Sequence, residues 1–202
     1  MMGLVNRLSS QLTRTLGFGC VFFLASCATT PPASTGIDQA TRKSVLSEQY
    51  RSDYAKAIAD LDAQNYDHAS TLLNRITANN PGFVEGWANL SLAQLHTGNI
   101  SQAKQTANNA LTLEPQSASL YNLLGLISVE SGAYKDAEQH YARALQLNPE
   151  LANAHFNLGL LNDIYYQNIA KAIKHYERYL ALINTADPDT ESWVAELKRN
   201  VK

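Results

Sequence analysis

The chain has 202 residues, a formal net charge of −2 and an apolar share of 45%, values that fit one globular domain with additional segments. Because the charge is near neutral and no block of Lys and Arg stands out, nucleic acid is not an expected partner. Both cysteines, Cys20 and Cys27, precede residue 28. Their position excludes a disulfide framework or a cysteine zinc cluster in the rest of the chain.

Residues 1–26 have the layout of a secretory signal peptide. Arg7 and Arg14 precede an uncharged, mostly apolar run from Leu16 to Ala25. A positive region followed by an apolar region is typical of such signals. The run is about half of the ~20 residues that a membrane-spanning helix requires, so we predict a cleaved leader and not a permanent span.

The end of this leader, Leu24-Ala25-Ser26-Cys27, resembles the lipobox of bacterial lipoproteins, in which two small residues precede a cysteine. The resemblance implies that lipid is attached to the thiol of Cys27, which becomes the first residue of the mature chain. The next residue is Ala28 and not Asp, which by resemblance to Gram-negative lipoproteins implies an outer-membrane location, facing the periplasm. The alternative is an ordinary signal peptide that is cut near Ala28, so that Cys27 is lost.

Residues 27–37 are predicted to form a lipidated, flexible linker. The stretch from Ala28 to Gly36 has two adjacent prolines and no apolar period, so it cannot bury enough surface to fold. We interpret it as an extended tether between the lipid and the body of the protein. The following stretch, from Asp38 to Asp62, predicts a long entry helix.

Four columns of residues recur with a period of 34 positions. They contain prolines, alanines, leucines and ring-bearing residues: Pro81, Pro115 and Pro149; Ala69, Ala103 and Ala137; Leu90, Leu124 and Leu158; Trp87, Tyr121 and His155. This period with these residue types resembles the tetratricopeptide repeat. The resemblance implies an all-α, helix-turn-helix solenoid of three to four repeats over residues 38–186. The copies are expected at about residues 50–83, 84–117, 118–151 and 152–186.

Two of these copies depart from the pattern. In the first copy, Asp53 and Lys56 replace apolar residues, as expected of a terminal repeat whose outer face meets water. In the fourth copy, Ala172 and Tyr176 are displaced by one residue from the 34-residue spacing. We interpret this displacement as one residue inserted in the turn around residues 165–168.

Residues 187–202 predict a C-terminal capping helix that covers the last repeat. Asp187 is suited to the N-cap position and Pro188 to the first helical position. An apolar stripe follows along this segment: Trp193, Val194, Leu197 and Val201. A partner-binding helix is the alternative interpretation.

The sequence has no pattern typical of catalysis or of a metal or cofactor site. The five histidines do not form a HExxH or similar spacing, and no GxSxG, P-loop or GxGxxG motif occurs. We interpret Asp60 and Asp62 as a solvated helix face, and His155 as the replacement of an aromatic ring in its column. We therefore predict a protein that is not an enzyme, with no catalytic residues, no bound metal and no cofactor.

In tetratricopeptide arrays the first helix of each repeat lines a concave groove, so the resemblance implies that the function lies there. Counting from the repeat starts gives these candidates: Asn89, Leu92, Asn122, Leu126, Phe156, Asn157 and Leu160. An asparagine amide both donates and accepts hydrogen bonds, so it can bind a peptide backbone of any sequence. The alternative is that these asparagines only solvate helix faces. The Lys and Arg residues of the carboxylate clamp are absent from the matching positions, so a chaperone's acidic tail is not an expected ligand.

These observations together predict a periplasm-facing, lipid-anchored scaffold. It would bind a protein or peptide partner in the groove and contact the membrane through its lipid anchor. Within that class it resembles the small lipoproteins that assist pilus or secretin assembly. Two alternatives remain: an adaptor that recruits peptidoglycan hydrolases or proteases, and an accessory protein of a TonB-like energy-transducing complex.

Overall fold

The computed structural model describes residues 48–200. The predicted signal peptide, the linker with Cys27, the beginning of the entry helix and residues 201–202 lie outside the described residues. Within residues 48–200 the regular secondary structure consists of helices, without strands. The predicted all-α fold class is therefore confirmed.

Nine α-helices follow one another in the described part of the chain. They are α1 (Glu48–Asp62), α2 (Tyr66–Asn79), α3 (Val84–His96), α4 (Ile100–Leu113), α5 (Ala118–Glu130), α6 (Tyr134–Leu147), α7 (Ala152–Leu160), α8 (Ile169–Leu182) and α9 (Pro188–Asn200). The chain divides between Asn99 and Ile100 into two compact units. Helices α1–α3 lie in the first unit and α4–α9 in the second.

In the first unit, α2 packs against both α1 and α3. Small and branched apolar residues from all three helices form its core: Ala57, Leu61, Ala69, Leu72, Leu73, Leu90 and Ala93. The core extends to half-buried rings at its edge, where Tyr66 of α2 stacks on His96 of α3 with ring centroids 4.1 Å apart. The three helices therefore share one continuous apolar interior.

In the second unit, α5 packs against α4 and α6, while α8 packs against α7 and α9. Its core has two clusters: Ala137, Tyr141, Leu158 and Leu161; Phe156, Ala172, Tyr176 and Val194. Tyr134 of α6 contacts Tyr165 with ring centroids 4.1 Å apart. This ring pair occupies the repeat positions that Tyr66 and His96 occupy in the first unit.

One turn position in each repeat adopts a left-handed backbone. The residues are Gln64, Gly98, Gly132 and Gln167, with φ of 62°, 77°, 75° and 53°. Glycine reaches this region without steric cost, whereas a side chain such as that of glutamine is strained there. The sequence provides the glycine that the turn requires in only two of the four copies.

Helix α7 ends in a π-helical turn, Leu161–Tyr165. The amide of Tyr166 donates to the carbonyl of Leu161, five residues earlier, at 3.1 Å. Helix and π-turn together are one residue longer than the corresponding helix α5. The inserted residue therefore lies in the last turn of this helix. The predicted insertion in the turn around residues 165–168 was placed too late, because a π-turn absorbs one extra residue without breaking the helix.

Asp53 also differs from the prediction, because it does not meet water. Its side chain is only 4% exposed, and Arg75 of α2 donates to its carboxylate at 2.7 Å. Gln49 donates to the same group from one turn earlier, at 3.2 Å. Lys56 is exposed, as expected. A buried carboxylate is tolerated at position 53 because charged and polar donors replace its lost hydration.

The C-terminal helix α9 begins as predicted. The backbone amide of Thr190 donates to the Asp187 carboxylate at 3.0 Å, which is an N-cap hydrogen bond. Tyr179 of α8 donates to the same carboxylate at 3.1 Å, so the cap also ties α9 to its neighbour. Trp193 then contacts Tyr176 of α8 with ring centroids 5.1 Å apart. Helix α9 thus covers the apolar end of the second unit.

Candidate protein-binding face

In the first unit, the candidate residues lie on α3, next to α1. The amide of Asn89 donates to the hydroxyl oxygen of Tyr54 at 2.7 Å, and Asn89 is only 8% exposed. Leu92, one helical turn later on the same side, is half-buried. Here Asn89 connects two first helices, and Leu92 is the more accessible of the two candidates.

In the second unit, the same arrangement joins α5 and α7. The amide of Asn157 donates to the side-chain oxygen of Asn122 at 2.9 Å, and Asn157 is 6% exposed. Asn122 is half-buried. The two predicted asparagines are therefore brought together, and part of their hydrogen-bonding capacity is used between the helices.

Phe156, a further candidate, belongs to the core of the second unit. It is 6% exposed, and its ring lies 4.9 Å from that of Tyr179 and 5.7 Å from that of Tyr176. A residue packed in this way stabilises α7 against α8. It does not offer a surface pocket in this conformation.

A column of aliphatic side chains remains accessible on the first helices. Leu126 and Leu160 of the second unit and Leu92 of the first are half-buried, and their sequence positions are 34 apart. Ile58, at the matching position of α1, is half-buried as well. We call these residues, with the asparagine partners beside them, the first-helix face of each unit: Tyr54, Ile58, Asn89 and Leu92 in the first; Asn122, Leu126, Asn157 and Leu160 in the second.

Sequence reasoning missed Tyr54 and Ile58. For Ile58 the signal was present, because extending the Leu92 column back by 34 positions reaches it. For Tyr54 there was no equivalent signal. Its role comes from the hydrogen bond that Asn89 donates across 35 positions of sequence, which only the structure reveals.

The column of rings that contains His155 performs a structural task. The indole N–H of Trp87 donates to the carbonyl of Pro81 at 2.8 Å, and Nε2 of His155 contacts the carbonyl of Pro149 at 3.1 Å. Because a carbonyl can only accept, Nε2 of His155 carries the hydrogen. Trp87 and His155 therefore each fasten their helix to the preceding proline turn, which agrees with the interpretation of His155 as a replacement for an aromatic ring. Tyr121, the third ring of the column, lies against His140 and Arg143.

An open depression at the edge of the first unit is lined by residues 64–68, His96 and Thr97. Asp60 lies beside it and contacts Nδ1 of His68 at 2.6 Å, so it is paired and not simply a solvated acid; Asp62 is exposed. Nε2 of His96 is buried without a hydrogen-bond partner, and burial lowers the pKa of this histidine. A neutral imidazole stacked on Tyr66 suits a packing role.

Two features of residues 48–200 bear on other classes of function. In that part of the chain no cluster of three or more His, Cys, Asp or Glu residues is arranged to hold a metal ion. Over the same residues, no helix combines the length and apolar character needed to cross a membrane.

Comparison with known proteins identifies the class. Two repeat families match the chain, one described as "Tetratricopeptide repeat" over residues 54–118 and one as "TPR repeat" over residues 125–162. The chain therefore carries tetratricopeptide repeats, as predicted. This fold is typical of non-catalytic scaffolds that bind other proteins. A search of the curated proteins found no match.

Solved structures show the same fold. The thermophilic TPR protein TTC0263 of Thermus thermophilus is 23% identical with a TM-score of 0.66, and the match covers 75% of this chain and 82% of that one. Pseudomonas aeruginosa pilF is 23% identical with a TM-score of 0.66, covering 76% and 69%. A chain of the APC/C hetero-tetramer Cut9–Hcn1 is 18% identical with a TM-score of 0.68, covering 76% and 30%. At these identities the likeness concerns the fold alone.

Proposed function

We propose that this protein is a lipid-anchored, periplasm-facing scaffold that binds another envelope protein through its first-helix face and assists assembly of a pilus or secretin. The observation that carries the binding role is the column of half-buried aliphatic residues, with Leu126 and Leu160 in one unit. Aliphatic side chains that stay partly accessible at a regular spacing offer a partner apolar contacts without a change of fold.

The hydrogen bond between Asn157 and Asn122 supports this role in a way that the sequence did not suggest. It joins α5 to α7 beside Leu126 and Leu160, so these side chains lie on helices that are already connected before a partner binds. A preformed surface loses less conformational entropy when a partner binds. The asparagines thus help to position the surface, and a partner can still use the remaining donors and acceptors of Asn122.

The pilus or secretin pathway is supported by the lipobox and by a structural relative. The name of Pseudomonas aeruginosa pilF points to a pilus-related role for that protein. The present chain matches it over 76% of its own length with the same repeat fold. The match is a reason to look first among pilus and secretin subunits for the partner.

Membrane attachment through Cys27 is tested by metabolic labelling. Cells that express the full chain or Cys27→Ser are fed radioactive palmitate, and the purified protein is assayed for label. We expect label in the wild-type protein and none in the variant. Label that persists in Cys27→Ser would exclude lipidation at this cysteine, even if the binding role holds.

The binding role is tested by photo-crosslinking in cells at Leu126 and at Leu160. A photoreactive amino acid at Leu147, a half-buried leucine near the end of α6, is the matched control. We expect crosslinks to one envelope protein from the first two sites and not from the control. A pilus or secretin subunit would support the pathway, whereas a peptidoglycan hydrolase or an energy-transducing subunit would replace it.

A loss-of-function variant complements the crosslinks. Leu126→Glu and Leu160→Glu place charges on the first-helix face. Because Leu160 also packs against the core around Phe156 and Tyr176, the melting temperature of each variant is measured alongside binding. The crosslinked partner should no longer co-purify with either variant, while Leu147→Glu should retain it. Retention by all three variants, with unchanged melting temperatures, would contradict the first-helix face as the binding surface.

A further inference from the structure

Helix α8 presents a row of exposed cations on one side. Lys171, Lys174 and Arg178 are all exposed and follow one another at positions i, i+3 and i+7. Such a spacing places three side chains on one helix face over about 10 Å. Within residues 48–200 the ion pairs do not include any of the three. The one acid of α8, Glu177, is bound to Lys198 of α9 at 2.6 Å.

A pair of histidines lies beside this row. Because Nε2 of His155 donates to Pro149, its Nδ1 is the acceptor when the ring is neutral, and Nδ1 of His175 donates to it at 3.1 Å. Nε2 of His175 then remains as the ring nitrogen with a free lone pair. Protonation would turn it into an additional donor on the side of α8 that carries Lys171 and Arg178.

The charged side chains that shift the pKa values of this pair are cationic. Burial lowers the pKa of His175 to about 4, with further contributions from His155 and Lys171. Burial also lowers the pKa of His155, and Arg178 adds to this. Glu177 lies two residues after His175, but its carboxylate is bound to Lys198, and no acid is among the groups that shift the pKa of either imidazole. The positive charge of this site would attract an oxyanion, such as a carboxylate, and would repel a metal cation.

We propose that Lys171, Lys174, His175 and Arg178 form a docking stripe for an acidic segment of a partner protein. The stripe is a second binding surface on α8, separate from the first-helix face. This proposal depends on the proposed function in one respect, namely that the ligand is a protein. Arginine binds carboxylates through two parallel hydrogen bonds. The flexible lysine side chains can reach carboxylates at several spacings along the bound segment.

The shape of the stripe fits an extended peptide. Helix α9, which packs on α8, exposes charges of both signs, with Glu191 in its first turn and Lys198 and Arg199 in its last. Lys198 is already paired with Glu177 of α8. The three cations of α8 form a row, and an extended acidic peptide can follow that row without covering the mixed charges of α9.

Bound carboxylates would also change the protonation of His175. A negative charge beside the imidazole favours its charged form and raises its pKa. Because binding and protonation are linked, binding strengthens as the pH falls toward the pKa of His175 in the complex. A neutral or basic segment would give no such dependence.

The test uses the full chain and a fluorescein-labelled octaglutamate peptide as the probe, with fluorescence anisotropy at pH 7 and pH 5.5 and low ionic strength. An octalysine peptide and vesicles with one quarter phosphatidylglycerol are the other two arms. We expect octaglutamate to bind, more tightly at pH 5.5, and neither of the other probes to bind. Binding to the vesicles without binding to octaglutamate would overturn the proposal in favour of a membrane surface.

The residues are tested with charge-matched variants. Lys171→Gln/Arg178→Gln removes two cations of the stripe, and Lys104→Gln/Lys135→Gln removes two exposed cations of α4 and α6. We expect the first variant to weaken octaglutamate binding by roughly threefold for each charge removed, and the second to leave it unchanged. Equal weakening by both would mean that net charge alone is responsible. Leu126→Glu should bind octaglutamate like the wild type, so the failure of one surface is distinguishable from that of the other.

Discussion

The ring of Tyr141 lies directly against the α-carbon of Gly125, where a methyl group would overlap it. The same relationship recurs one repeat later between Tyr176 and Gly159, where a Cβ would lie 2.5 Å from the ring. Both rings are fully buried. Because the first helix has no side chain at this position, the largest buried residue of the second helix fits there, and the two helices can approach closely.

We expect Gly125→Ala to lower the free energy of unfolding by about 2 kcal/mol. In an exposed helix this change would stabilise by ~1 kcal/mol, because alanine has the higher helix propensity. At Gly125 the overlap with a buried ring costs more than that gain. Urea denaturation measures the difference. Gly82→Ala is the control, since a Cβ there meets nothing within 4 Å, and an equally destabilised control would contradict the explanation.

Replacement of a strained glutamine should have the opposite effect. Gln167 has a φ of 53°, whereas Gly132 occupies the matching position of the preceding repeat. We expect Gln167→Gly to raise the free energy of unfolding by about 0.5–1 kcal/mol, because glycine removes the left-handed strain. Gly132→Ala should lower it by a similar amount. Thermal unfolding of both variants gives the check, and a loss of stability in Gln167→Gly would contradict it.

The ion pair between the buried Asp53 and the exposed Arg75 is the third target. Arg75→Ala leaves the carboxylate of Asp53 buried without its charged partner, and we expect a loss of about 2 kcal/mol in the free energy of unfolding, since the Arg75 side chain is itself 54% exposed and Gln49 still donates. In Asp53→Leu/Arg75→Met the charge is removed together with its partner, and stability should return to near the wild-type level. If this double variant is as unstable as Arg75→Ala, the ion pair itself stabilises the fold, and the expectation is contradicted.

The lowered pKa of His175 predicts that the stability of the protein depends on pH. Its pKa is about 4 in the folded protein, lowered chiefly by burial, against 6.5 in the unfolded chain. Between these values the unfolded state binds the proton, so stability is present above pH 6.5 and is lost as the pH falls to about 4. Because His175 is partly exposed and solvent screens its interactions, the loss attributable to this group is about 1–2 kcal/mol. In His175→Gln the stability measured by urea denaturation should fall less between pH 7 and pH 4.5, whereas Lys174→Gln should behave like the wild type.

The fold could be predicted from the sequence because its main signal is local and repeated. A proline follows the second helix in three successive repeats, at Pro81, Pro115 and Pro149. The 34-residue period sets the lengths of the helices between these prolines. The helix bounds in the structure follow this period up to α7. The π-turn could be detected only as a displacement of Ala172 and Tyr176, since the period does not say where within a repeat the extra residue lies.

The candidate face was harder to predict, because its properties depend on contacts distant in sequence. Asn89 and Asn157 were correctly placed on first helices. That each is buried against the preceding first helix depends on how closely those helices pack, which no single repeat encodes. Asp53 illustrates the same limit. Without the position of Arg75, 22 residues later, an acid in an apolar column indicates an exposed surface, although here the carboxylate is buried and paired with an exposed arginine.

The π-turn at Leu161–Tyr165 has a consequence for how this sequence tolerates insertions. An extra residue in a regular α-helix rotates everything that follows by about 100°, which would turn the apolar side of α8 away from α7. Here the extra residue is absorbed within five positions, and Tyr176 still reaches Gly159. Rotational register is restored before the next helix begins. The end of a first helix is therefore a place where a repeat can gain one residue while the following helix keeps its orientation about its axis.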